Sequence, residues 1–223
     1  MAVREDQLYL VGVNESSAGP GLRNVTFRTT RGDFNALARL RGGIQSGVIV
    51  LGDPEIGADG PCSIFSELAD ELIEQGIGTL HLNYRSPGNY VQCTIDALLA
   101  LQYLDDEGVN DVVLVGWSFG ASVALAAGSL GRTVKGIAAI SPRNVFDTFL
   151  RWLRSRPLLI LHGDADRVSP VEVSRDVYFK TREPRKLIIY PGAGHNCEEV
   201  RDQLRKDLSS WIMTVLHAQP RDA

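Results

Sequence analysis

Six near-continuous apolar runs of strand length recur between residues 47 and 192: "GVIVLG", "IGTLHLNY", "DVVLVGW", "VKGIAAIS", "PLLILHG" and "KLIIYPG". A strand with one wet face alternates apolar and polar residues, so runs like these belong to strands buried on both faces. Helical patterns separate them. In "CSIFSELADELIEQG" the pairs Ile64-Phe65, Leu68-Ala69 and Leu72-Ile73 recur every four residues, and Gly76 marks a stop. In the last segment Val200, Leu204, Leu208, Trp211, Ile212 and Val215 share one face. Strand and helix in alternation imply right-handed crossovers and a largely parallel sheet covered on both sides. Ahead of these runs lie "LYLVGV" and "VTFRTTRGDFNALARL", the second alternating about Arg31-Gly32-Asp33 as a hairpin does. The expectation is a mostly parallel α/β sheet of about eight strands. It forms a single domain over residues 1–217, with "AQPRDA" (218–223) as a frayed tail.

Composition agrees and removes several classes. A chain of 223 residues, 44% of them hydrophobic, fits one domain of the usual ~50–250 residues. The net charge of -4 comes without a basic stripe, so no nucleic-acid partner is expected. No apolar run approaches the ~20 residues of a membrane span, and "MAVREDQLYL" puts charges where a signal peptide is apolar. Cys62, Cys93 and Cys197 are an odd number of widely spaced thiols. That argues against a disulfide framework and for a cytoplasmic location.

In open α/β sheets, ligands gather beyond the carboxyl ends of the strands. One run ends in Gly116-Trp117-Ser118-Phe119-Gly120 before an alanine-rich helix pattern. A serine becomes nucleophilic when a histidine takes its proton and a carboxylate holds that histidine. Both partners stand at later strand ends. "PLLILHGDADRVSP" offers Asp164 and Asp166, two apart, and "KLIIYPGAGHNCEE" offers His195, with Asn196 placed to cap the closing helix. The chain order Ser, Asp, His is the one expected when the serine sits on a sharp turn after a central strand. His81, within a strand pattern, and His217, on the last helix, read as structural or surface residues. His162 reads as a hydrogen-bonding tie within the acid loop.

These three loops, taken in order, resemble the α/β-hydrolase fold family over nearly the whole chain. "GWSFG" is similar to its Gly-x-Ser-x-Gly elbow, "HGDADRVSP" to its acid loop and "GAGHN" to its histidine loop. The resemblance implies a catalytic triad of Ser118, Asp166 (the fifth position from His162, in preference to Asp164) and His195. It also implies an oxyanion hole from the backbone N–H groups of Phe119 and Asp53. The family commonly has His-Gly before the second donor, and here Leu51 stands in place of the histidine. The Asp53 carboxylate would oppose an oxyanion unless it points away.

Only "RNVFDTFLRWLRSR" separates "ISP" from the acid-bearing strand, room for one short helix and no cap domain. The likeness is therefore to small lidless enzymes such as dienelactone hydrolases, carboxylesterases and acyl-protein thioesterases, with serine in place of the dienelactone hydrolase cysteine. The short helix, with Phe146, Phe149, Trp152 and Arg143, Arg151, Arg154 and Arg156 nearby, either borders an acyl pocket or covers the sheet with solvated arginines. Asn83, Tyr84 and Arg85 stand at another strand end near the pocket, and Cys62 and Cys197 fall near the site loops. The activity implied is hydrolysis of small-molecule carboxylic esters or thioesters without metal or cofactor. Two alternatives stay open: a binding or regulatory protein with weak turnover, and an acyltransferase or peptidase using the same residues.

Overall fold

The computed structural model describes residues 10–53, 63–153 and 156–218. Among these residues nine strands form one sheet in the order β1-β2-β3-β5-β4-β6-β7-β8-β9. The strands are β1 (Leu10–Gly19), β2 (Leu22–Thr29), β3 (Phe34–Arg39), β4 (Ser46–Leu51), β5 (Ile77–Asn83), β6 (Asp111–Trp117), β7 (Val134–Ile140), β8 (Leu158–Gly163) and β9 (Arg185–Tyr190). The first three and β5 pair antiparallel, and every pairing from β5 through β4 to β9 is parallel. The helices are α1 (Ile64–Glu74), α2 (Tyr90–Asp106), α3 (Phe119–Leu130), α4 (Asp147–Trp152), α5 (Val171–Lys180) and α6 (Arg201–Leu216).

The apolar runs divide between two cores because successive strand residues point to opposite faces. Ile49, Leu51, Leu114, Ile137, Ala139 and Ile160 pack with Cys93, Ala97 and Leu104 of α2 and Ala121, Ala124 and Ala127 of α3. Val48, Val50, Val113, Val115, Ala138 and Leu161 pack on the other face, with Ile64, Phe65 and Leu68 of α1 and Leu204, Leu208 and Ile212 of α6. A polar residue at any of these strand positions would be buried against one helical layer or the other. That is why the runs have no alternation.

The nine strands among the described residues agree with the expected sheet of about eight, and β1 is longer than the apolar run that marks it. "NESSAG", which lacks any apolar pattern, continues β1 to Gly19, and a turn between Gly19 and Gly21 returns the chain into β2. Most of β1 is solvated on both faces, so its residues carry no burial signature. The Arg31-Gly32-Asp33 turn closes the next hairpin, with Gly32 at φ 95° and the Thr29 hydroxyl donating to the Gly32 carbonyl at 2.5 Å.

Strand order reverses at β4, which pairs with β5 on one side and β6 on the other. The carboxyl ends of β4 and β6 therefore border the crevice where such sheets hold ligands. From β7 to β8 the described residues carry one short helix, α4; Arg154 lies outside them. No helix among the described residues is long and apolar enough to cross a membrane.

Candidate active site

Ser118 sits between β6 and α3 with φ 55° and ψ -114°, a backbone conformation that L-residues seldom adopt. Its neighbours explain how it is kept there. A Cβ on Gly116 would run into the Gly120 carbonyl, and one on Gly120 into the Leu51 carbonyl at the end of β4. Both glycines are therefore required by close backbone approach, and the turn is pressed between two strand ends. Its own N–H donates to the Ile140 carbonyl at 2.9 Å. The serine is 1% exposed.

The acid and histidine loops meet this turn. His195 Nε2 lies 3.0 Å from Ser118 Oγ, and His195 Nδ1 lies 2.7 Å from Asp166 Oδ2. A carboxylate only accepts, so Nδ1 carries the hydrogen and Nε2 is left to accept the serine proton. Asp166 Oδ1 accepts the N–H groups of Val168 at 2.7 Å and Ser169 at 2.9 Å. Burial alone would raise the Asp166 pKa, but these N–H groups and His195 outweigh it and hold the carboxyl below its ordinary value. Asp164 acts as a brace, since its Oδ1 accepts the Gly192 N–H at 2.6 Å and ties the acid loop to the histidine loop. Ala165 N–H donates to the Ala193 carbonyl at 3.0 Å and reinforces that tie.

His162, fully buried, supports the acid from behind. Its Nε2 donates between Asp166 Oδ2 and the Ser169 carbonyl, both at 3.0 Å, and its Nδ1 accepts from the Ser174 hydroxyl at 2.6 Å. Burial pushes its pKa below that of an ordinary imidazole, so it stays neutral. The His195 carbonyl accepts from Trp117 Nε1 at 3.3 Å and from the Ser141 hydroxyl at 3.0 Å, fixing the backbone that carries the base. Ser141 and Ser174 carry no signal in the sequence, since serines in loops and helices are common.

Several other expected residues fall elsewhere. Asn196 does not cap the closing helix: its Nδ2 donates to Glu198 Oε1 at 3.1 Å, and a short 3-10 turn, Glu198–Val200, precedes α6. Four residues, Cys197 to Val200, separate Asn196 from α6, and Cys197 turns the chain at φ 52°. Cys197 is buried, with its pKa pushed up to about 11, chiefly by burial, so it is a protonated thiol packed in the core. Cys62 lies outside the described residues. Arg85 turns away from the site into a buried ion pair with Asp96 at 3.1 Å. Arg156 is not solvated either; it donates to the Gly128 and Gly131 carbonyls at the far end of α3. His81 is buried within β5, and His217 is exposed beyond α6.

The oxyanion side is built differently. Phe119 N–H, the first donor of α3, points at the Asp53 carboxylate, with Oδ2 3.4 Å away. The first N–H groups of a helix have no partner within it and attract negative charge. The carboxylate therefore turns toward the expected oxyanion position. Arg143 Nη2 stands 3.6 Å from the same oxygen, and the Tyr84 hydroxyl donates to the Gly52 carbonyl at 3.3 Å. The rest of the Asp53 loop, with Pro54, Gly57 and Gly60, lies outside the described residues.

Trp117 and Phe119 are both buried. From Phe119 a series of rings runs outward. Tyr90 stacks on it at 4.3 Å, Phe146 meets Tyr90 edge-on at 5.3 Å, and Phe149 and Trp152 follow at 6.3 Å steps. Phe146 and Trp152 are 45% and 52% exposed, so the series reaches solvent.

Comparison with known proteins agrees with this architecture. The sequence pattern of the dienelactone hydrolase family matches residues 73–209. The dienelactone hydrolase of Anabaena variabilis superposes with a TM-score of 0.71 at 18% identity, over 96% of this chain and 100% of that one. Est1E of Butyrivibrio proteoclasticus, solved with ferulic acid bound, gives 0.72 at 16% identity, over 83% and 96%. Among curated relatives, the uncharacterized protein YfhR of Escherichia coli K12 is 33% identical over 66 residues, 28% of this chain. The chain spans about a quarter of that relative's length, 23%. With more than half of its residues matched on this fold, the chain belongs to the dienelactone hydrolase family.

Proposed function

We propose that this hydrolase cleaves carboxylic esters or thioesters of small molecules through an acyl-enzyme on Ser118. His195 Nε2 takes the Ser118 proton as Oγ bonds to the acyl carbon, and the carbonyl electron pair moves onto oxygen. The N–H groups of Phe119 and Asp53 hold that oxygen. Collapse of the adduct expels an alkoxide or thiolate, which receives the proton from His195. Water then repeats the sequence and frees the acid. Asp166 keeps Nδ1 protonated and stabilises the imidazolium formed in each half.

The observation that carries this reading is the unbroken relay of 3.0 Å and 2.7 Å from Ser118 through His195 to Asp166. The ring series beginning at Phe119 supports an apolar or aromatic acyl group lying toward α4. Two buried unpaired thiols, Cys93 and Cys197, support a cytoplasmic location. The reading is tested by labelling with a fluorophosphonate, followed by a panel of esters and thioesters of graded chain length. Label on Ser118, lost in Ser118→Ala together with turnover, is expected. Label on another residue, or near-normal turnover in Ser118→Ala, rejects the mechanism. The Phe119–Asp53 contact favours one second reading, a protein with this triad and little turnover. Its signature is the absence of an acyl burst on every ester of the panel.

A further inference from the structure

The position an oxyanion would take already has an anionic neighbour. Asp53 Oδ2 accepts the Phe119 N–H at 3.4 Å, at the amino-terminal end of α3, and Asp53 is only 4% exposed. Arg143 reaches toward the same oxygen from the other side, at 3.6 Å, with a third of its side chain in solvent. A carboxylate oxygen and the developing oxyanion are both negative, and a single N–H directed at one is withdrawn from the other. The neutral carbonyl of a bound ester is a weaker acceptor than a carboxylate. The competition therefore tightens as charge grows on the substrate oxygen, which is where catalysis is decided.

We propose that the Asp53 carboxylate competes with the oxyanion for the Phe119 N–H, and that it must move toward Arg143 before the tetrahedral adduct is fully held. The proposal rests on the Ser118–His195–Asp166 reading and adds to it the group that limits the rate. Arg143, 3.6 Å from the same oxygen, offers the displaced carboxylate a second partner. Asp53 thus has two opposed roles: its backbone N–H serves the hole and its side chain restrains it.

The experiment compares the wild-type chain with Asp53→Asn and Asp53→Ser, which remove the charge and keep the backbone N–H. Asp53→Ser, the smaller, covers the case in which the amide does not fold. Three quantities are read: kcat and KM on p-nitrophenyl acetate and butyrate, the rate of fluorophosphonate labelling at Ser118, and the Kd of phenylboronic acid. In the boronic acid, Ser118 Oγ bonds to boron and its proton passes to His195, giving an anionic tetrahedral adduct without turnover. Since one oxyanion-hole donor is worth ~10²–10³ in rate, freeing a contested one should raise kcat and labelling by about 10-fold or more. KM should change little, and boronate Kd should fall by a similar factor. A variant with a wild-type melting midpoint but an unchanged or lower kcat, and no tighter boronate binding, overturns the proposal. Label at Ser118 at one rate in all three chains overturns it and leaves the triad reading standing. Absence of label at Ser118 in all three overturns both.

Discussion

The two halves of the site solve the problem of buried charge in opposite ways. On the acid–histidine side every charge meets a matched partner. Asp166 receives two N–H groups and two imidazoles, and Asp164 laces the two loops together. On the side of the proposed oxyanion hole a buried carboxylate leans on the Phe119 N–H, at 3.4 Å, with a guanidinium at 3.6 Å. The first half is preorganised for its role, and the second has to rearrange. Preorganisation and contest can thus sit a few ångströms apart, because each strand end contributes its loop independently.

The largest expected effect concerns the acid–histidine half. Asp166→Asn should lower kcat by ~10⁴, the scale seen when a triad acid loses its charge. Asp164→Asn, which keeps a side-chain acceptor, should lower kcat by less than about 10-fold on the same scale. Steady-state kinetics on one ester compares them, and equal losses would erase the distinction between catalytic and bracing carboxylate. Next comes Gly120→Ala, whose Cβ meets the Leu51 carbonyl. It should cost about 1–3 kcal/mol or more, since overpacking against backbone has no flexible neighbour to yield. The urea midpoint checks this, and an unchanged midpoint would mean the turn is looser than its backbone contacts imply.

A third comparison uses pH. The His162 pKa is lowered by burial, so between its folded value and the ordinary ~6.5 the unfolded chain binds more protons. Its contribution to stability is complete above about pH 6.5 and is lost as pH falls toward the folded pKa. Asp166, also lowered, adds a loss only below about pH 4. The thermal midpoint should drop between pH 7 and 5, and drop less in His162→Gln. Parallel curves for the two chains would remove His162 as the cause. The smallest effect concerns the rings. Trp152→Ala should raise KM for aryl esters by about 3- to 10-fold, from one aromatic contact worth ~0.5–1.5 kcal/mol, and raise it less for acetate.

Much of this could be read from residues alone, for a physical reason. Strands buried on both faces must be apolar throughout, so β4 to β8 announced themselves, as did α1, α3 and α6; α2, which packs on one face, carried no pattern that was read. The three residues that meet at Ser118 were readable because the proposed chemistry needs three residue types at three strand ends. What escaped depended on side-chain direction. Two carboxylates two apart in a loop have no periodic pattern to separate them, so Asp166 and Asp164 differ only once the turn is built. The orientation of Asp53 follows from where the first N–H of α3 points. β1 extends through polar residues because a strand solvated on both faces needs no apolar alternation. Arg156 resembles any surface arginine until α3 ends within its reach.

The left-handed backbone at position 118 also decides which atoms can ever act there. A residue held at φ 55° tolerates an unbranched side chain, whereas a second substituent on Cβ would crowd the main chain. Threonine is thereby excluded as an alternative nucleophile, and cysteine, a near-isostere of serine, fits. Before any proton moves, the geometry of one turn would hold the proposed nucleophile to oxygen or sulfur on a single methylene.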